Sequence, residues 1–275
     1  MTALAKGFAQ RARIHAAMAL ASRALFALFA LSMPAYALAR MAWGDAGAAA
    51  ATAVTALAWF LCSLALCIHE EGAARAALFL GSGFAIAFGM EYLGSRTGFL
   101  FGAYTYTELL GPKMLGYVPL LIPLAWFMML FPSWRIAGWL TQSWPTRIAA
   151  AALAMTAWDL SLDPRMVADG AWIWRDGGAY FGIPLSNFAG WLITAALIFG
   201  VWSFRSSHAA LTRARTTLPE WVFVIAWLGE SAANVFFWGR PPVGLVTFIG
   251  MGVFAVPALL RMHRNAAYNS GPRHG

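Results

Sequence analysis

Charge is what this 275-residue sequence has least of. Only 11% of its residues are Asp, Glu, Lys or Arg while 61% are hydrophobic, against roughly 25% charged in an ordinary soluble domain. That balance excludes a water-soluble globular chain, which lacks the polar surface to cover so much apolar side chain. Cysteine is nearly missing too: Cys62 and Cys67 fall inside one apolar run, which excludes a disulfide framework and a cysteine metal site. The five histidines, His15, His69, His208, His263 and His274, are scattered through expected loops and tails with no close pair. Di-iron membrane desaturases, hydroxylases and ketolases need clustered histidines, so that chemistry is excluded and no metal is expected. There is no phosphate-binding glycine loop and no dinucleotide fingerprint, which removes the usual sequence support for nucleotide-driven transport and for nicotinamide or flavin chemistry. There is also no internal repeat and no low-complexity linker.

What the sequence has is hydrophobic runs, recurring from residue 24 to residue 260. A helix crosses the hydrocarbon core with about 20 mainly apolar residues. That ruler gives eight spans: Ala24 to Ala39, Gly47 to Ile68, Ala73 to Leu93, Gly116 to Phe131, Ile148 to Leu162, Phe188 to Phe204, Pro219 to Phe237 and Val243 to Leu260. The expected fold is an all-α, polytopic membrane bundle of about eight transmembrane helices, one domain over residues 1–265 with a disordered tail at 266–275. The formal net charge of +8 lies in the gaps between runs and forms no contiguous patch. Membrane lipid headgroups, not nucleic acid, are therefore the expected partner. With a cytoplasmic amino terminus the inner segments hold thirteen basic residues, and the outer ones hold Arg40, Arg96, Lys113, Arg165, Arg175 and Arg240. The positive-inside rule then places both termini in the cytoplasm of a multi-pass inner-membrane protein. Gly81, Ala85 and Gly89 give the third span a small-residue face for close helix packing, which permits a homo-oligomer.

Ionisable groups at membrane depth are costly and mark function. Glu91, Asp159, Asp163 and Glu230 all map to the outer ends of their spans. Asp159 and Asp163, four residues apart, stack on one helix face before Pro164 stops the turn. Two like charges so placed should push at least one carboxyl upward in pKa, which makes a general acid. The alternative is an interfacial helix end, with the aspartates paired to Arg96, Arg165 or Arg175. Glu230 and Asn234 form a second four-residue pair, suited to holding a water or to bonding helices together; Glu91 has Arg96 as its structural partner. Aromatics make up 15% of the chain. TGFLFGAYTY, from Thr97 to Tyr106, alternates aromatic and small residues as an extended or re-entrant piece lining a cavity would. The loop with Trp172, Trp174, Tyr180 and Phe181 is similarly rich, and aromatic faces stabilise cations.

Two stretches, Glu91 to Leu130 (EYLGSRTGFLFGAYTYTELLGPKMLGYVPLLIPLAWFMML) and Met155 to Trp191 (MTAWDLSLDPRMVADGAWIWRDGGAYFGIPLSNFAGW), resemble the membrane family of carotenoid biosynthesis proteins that includes the bacterial gamma-carotene hydratase and the archaeal bisanhydrobacterioruberin hydratase. The resemblance implies addition of water across the terminal double bond of an acyclic carotenoid end. That reaction needs a proton donor, a sheltered tertiary cation and a positioned water, and no cofactor. Asp159 is expected to donate the proton and Glu91 or Glu230 to order the water, with Asp163 as a further acid. Tyr104, Tyr106, Trp158, Trp172, Trp174, Asn187 and Asn234 are expected to bind a carotenoid that arrives laterally from the bilayer. An isomerase or cyclase uses the same cation chemistry, and a proton-coupled or lipid transporter uses the same acids, so both readings stay open at this stage.

Overall fold

The computed structural model describes residues 3–204 and 216–270. Its first element, α1 (Ala3–Glu71), is two helices joined at Gly44, where φ is 61° and ψ −143°. That backbone state is readily open only to a residue without a Cβ. The two limbs run back along each other: Ser22 Oγ reaches the Ala65 carbonyl at 3.3 Å and Thr55 Oγ1 the Ser32 carbonyl at 3.3 Å. Six further helices follow: α2 (Ala73–Thr97), α3 (Leu121–Leu140), α4 (Trp144–Ala168), α5 (Leu185–Ser203), α6 (Leu218–Phe236) and α7 (Pro241–Ser270). Four short strands lie in the connections: β1 (Tyr104–Tyr106), β2 (Lys113–Met114), β3 (Val118–Pro119) and β4 (Trp172–Trp174). With the limbs of α1 counted separately the described residues hold eight helices, the number expected, and the protein is an all-α polytopic membrane bundle.

Six segments are long and apolar enough to cross a bilayer: Ala16–Gly44, Ala50–Glu71, Ala73–Thr97, Leu121–Leu140, Leu185–Ser203 and Pro241–Ala266. The two helices that fall short, α4 and α6, do so because they carry the acids. Arg147, Asp159, Ser161 and Asp163 of α4 are buried, as are Glu220, Glu230, Ser231 and Asn234 of α6. These two helices therefore turn their polar residues inward and leave the lipid to side chains such as Leu153, Trp221, Leu228 and Phe236.

Proline accounts for two departures from expectation. Pro164 was expected to stop α4, but the helix runs on to Ala168. A proline inside a helix leaves the carbonyl four residues back without its donor. Here that carbonyl is Leu160, and the Tyr180 hydroxyl donates to it at 2.8 Å. Pro132 sits inside α3 under the same arrangement: the freed Met128 carbonyl accepts from Ser63 Oγ at 2.7 Å. So α3 extends to Leu140, past the boundary expected at Phe131. Its start moves from Gly116 to Leu121 because Gly116, at φ 76°, belongs to the turn between β2 and β3.

Three further features are placed as follows. Gly81, Ala85 and Gly89 face outward, a small-residue face left open among the described residues; close approach within the bundle occurs at Gly83, where a Cβ would lie 3.2 Å from Leu130 Cδ1. The tail expected from residue 266 is helical through Ser270, and residues 271–275 lie outside the described residues. His69 and His263 sit in α1 and α7, not in loops. The side chains of His15, His208 and His274, and those of Lys6, Arg11, Arg13, Arg205, Arg213, Arg215 and Arg273, lie outside the described residues.

Candidate active site

The segment after α2 does what its aromatic pattern predicts. Phe101 is buried between two glycines, Gly94 of α2 and Gly190 of α5, where an added Cβ would stand 2.6 Å and 2.7 Å from its ring. Trp174 Nε1 then donates to the Phe101 carbonyl at 2.9 Å. From this anchor β1 pairs antiparallel with β4, Tyr104 opposite Trp174 and Tyr106 opposite Trp172. Side chains alternate faces along a strand. Tyr104, Tyr106, Trp172 and Trp174 therefore all turn into the bundle, while Thr105 and Ile173 turn out.

These four rings roof a cavity of about 790 Å³. Its lining is mainly apolar and aromatic: Trp126, Trp158 and Trp191 stand in its walls, with Trp126 stacked on Trp191 at 4.1 Å and Trp158 edge-on to Trp191 at 6.1 Å and to Trp59 at 5.3 Å. One wall is made by the first limb of α1 and by α6, and there Leu38 and Met41 of α1 and Phe237, just past α6, are exposed as well as lining the cavity.

Three of the four expected acids, Glu91, Asp163 and Glu230, line this one cavity, and they are only 3%, 2% and 5% exposed. Glu91 is saturated with neutral donors. Its Oε2 accepts from the Tyr104 hydroxyl at 2.5 Å and the Tyr106 hydroxyl at 2.7 Å, and its Oε1 accepts from Trp126 Nε1 at 3.1 Å. Burial, and then the neighbouring carboxylate, pushes both phenols well above the ordinary tyrosine range, so they remain proton-bearing donors. Arg96, the partner expected for Glu91, bonds Tyr92 instead at 3.0 Å, four residues back on its own helix.

Asp159 and Asp163 sit together, as their spacing predicts, and share one amide. Asn187 Nδ2 donates to Asp159 Oδ2 at 3.1 Å and to Asp163 Oδ2 at 2.5 Å. Only Asp163 reaches the cavity; Asp159, fully buried, lies behind it. Neither takes an ion pair: Arg165 pairs with Asp169 at 3.5 Å, and no salt bridge among the described residues includes Glu91, Asp159, Asp163 or Glu230. Glu230 is held by Ser161, whose Oγ donates at 3.0 Å; Asn234 steadies that serine with a 2.9 Å bond from its Nδ2 and does not itself line the cavity.

Of the aromatics expected at the site, Tyr104, Tyr106, Trp158, Trp172 and Trp174 are all in the cavity wall, as is Asn187. Trp59, Trp126, Trp191, Ser161 and Arg165 were missed, along with the whole first limb of α1. Trp126, Ser161, Arg165 and Trp191 all fall within the two family-like stretches, which is the one signal that points to them; Trp59 meets the site only through tertiary packing.

Fold and site together define a class: a multi-pass membrane protein with an aromatic cavity that holds several buried carboxyl groups. The family described as "Carotenoid biosynthesis protein" matches residues 50–253, and the chain belongs to it. Among characterised relatives, the chain is similar to the bisanhydrobacterioruberin hydratase of Haloarcula japonica, 31% identical over 176 residues. That match covers 61% of this chain and 59% of the relative. No solved structure matches the chain.

Proposed function

We propose that the protein is a carotenoid hydratase that adds water to the terminal double bond of an acyclic carotenoid end by acid catalysis. The observation that carries this is the placement of Asp163, Glu91 and Glu230 in one aromatic cavity, each without a directly paired cation. Two carboxyls crowded on one amide hold one proton between them. Asp163, with Asp159 behind it, is thus the proton store.

The proton passes from Asp163 to the less substituted alkene carbon, forming a C–H bond from the π pair and leaving a tertiary cation on the dimethyl carbon. The faces of Trp158, Trp172, Trp126 and Trp191 shelter that cation by their quadrupoles. A water held by Glu230 attacks it, forming the C–O bond, and gives a proton to the Glu230 carboxylate. Return of that proton to the aspartate pair closes the cycle, so one water is added and no redox or cofactor step is involved. Glu91, saturated by three donors, serves to fix Tyr104 and Tyr106 and to place negative charge near the cation. The role expected for Asp159 therefore moves to Asp163, and water ordering rests with Glu230.

The substrate arrives from the bilayer through the wall formed by α1 and α6, where exposed side chains also line the cavity. We place the protein in the cytoplasmic membrane with both termini inside and the cavity towards the outer leaflet, in keeping with the basic-residue bias. The test is co-expression with enzymes that form an acyclic carotene, followed by pigment extraction and mass analysis. A product heavier by one water per modified end supports the reading. A rearranged product of unchanged mass assigns an isomerase or cyclase, and an unchanged pigment profile removes the enzyme reading.

A further inference from the structure

Arg165 is the one cation among the described residues that line the cavity, and the reaction above does not use it. Its place on α4 is specific. Successive residues of a helix are turned by about 100°, so the ridge of Trp158, Leu162 and Met166 that faces the cavity has Asp159 and Asp163 on one flank and Ser161 and Arg165 on the other. Ser161 holds Glu230. Arg165 therefore shares a flank with Glu230, across the ridge from the aspartate pair.

The guanidinium is held rigidly. It lies 4.8 Å from the Tyr36 ring and 4.5 Å from the Trp238 ring, its Nη2 donates to Thr52 Oγ1 at 2.8 Å, and its Nε is 3.5 Å from Asp169 Oδ2. The Asp169 side chain is 41% exposed, so solvent screens it, whereas that of Arg165 is 12% exposed. Arg165 and Glu230 line the same cavity. Besides the aspartate pair, Glu91, Tyr104 and Tyr106, the charged or titratable groups near Arg165 include Asp169, Arg240, Tyr36 and Arg40; among the described side chains, α7 and α3, which also pack on α6, bring Arg261, His263, Arg264 and Arg135, all at the far end of the bundle.

Resting on the hydratase reading, we infer that Arg165 is a positioning residue which keeps Glu230 an anion and so fixes the water-accepting side of the cavity opposite the aspartate pair.

The test compares the wild type, Arg165→Gln, Arg165→Lys, Glu230→Gln and the Arg165→Gln/Glu230→Gln double variant in membranes, at matched protein levels and across pH. Arg165→Gln is expected to lose about 10- to 100-fold in kcat with little change in KM, and to move the acid limb of its profile to higher pH. Arg165→Lys, which keeps the charge, should recover most of the loss and the wild-type limb. In the Glu230→Gln background, Arg165→Gln should cost nothing further. A pH-independent loss, a lysine variant as poor as the glutamine one, or additive effects in the double variant would overturn the inference. If Arg165→Gln fails to accumulate, Arg165→Met reads the same limb. A wild type that never yields a hydrated product sinks the hydratase reading itself, whereas an active wild type with any of those three results sinks only the role of Arg165.

Discussion

The two ends of the bundle hold buried carboxylates in opposite ways. Away from the cavity, Arg135 bridges Glu70 at 3.0 Å and Glu220 at 2.8 Å, Trp139 adds a 2.9 Å bond to Glu220, and Arg75 pairs with Glu71 at 2.7 Å. At the cavity end Glu91, Asp159, Asp163 and Glu230 are held by tyrosine, tryptophan, asparagine and serine instead. Burial is comparable: Glu220 is fully buried and Asp163 is 2% exposed. What differs is charge compensation. A carboxylate locked to a guanidinium is committed to its charged form and cannot give a proton to an alkene, whereas one held by neutral groups keeps both forms within reach. The first arrangement ties α1, α3 and α6 together; the second leaves chemistry available.

Substitutions that treat the two ends alike should therefore fail differently. The largest expected effect is on turnover: Asp163→Asn keeps the shape of the site and removes its proton, and hydrated product per inserted molecule should fall by about 10²–10⁴-fold, read by pigment chromatography. Next is Arg135→Leu, which removes the guanidinium buried between Glu70 and Glu220 and should cost about 3–5 kcal/mol, read as loss of folded protein and of thermal stability in detergent. Tyr180→Phe should cost about 1–3 kcal/mol by leaving the Leu160 carbonyl without a donor beside Pro164, with activity per folded molecule nearly kept. The smallest is Arg96→Gln, which loses only an exposed contact with Tyr92 and should change stability by less than about 1 kcal/mol. If Arg96→Gln proved as damaging as Arg135→Leu, the distinction between compensated and uncompensated acids would lose its force.

Much of this was legible in the sequence, and the limits have physical causes. The eight helices follow from apolar runs set against bilayer thickness, and the depth of each acid follows from its place along its run. The i, i+4 spacing of Asp159 and Asp163 put them on one face, and the alternation in Thr97–Tyr106 foretold an extended aromatic wall. What could not be read is which groups meet across the bundle. Arg96 was the nearest cation to Glu91 along the chain, yet the helix turns it towards Tyr92, and the donors to Glu91 come from 13, 15 and 35 residues away. Pro164 is a helix stop by local rules and was overruled by a tyrosine from a later loop. Gly81, Ala85 and Gly89 form an outward face, and which small residue meets a neighbour inside the bundle, Gly83 against Leu130, could not be told from their spacing.

The claim that an uncompensated carboxyl protonates the alkene has a direct readout. Membranes containing the wild type, incubated with an acyclic carotene in D₂O, should yield a tertiary alcohol with one carbon-bound deuterium beside the carbinol carbon at each hydrated end, while Asp163→Asn membranes yield essentially none. Hydrated product formed by the Asp163→Asn protein at the wild-type rate, or a wild-type product free of carbon-bound deuterium, would contradict the account.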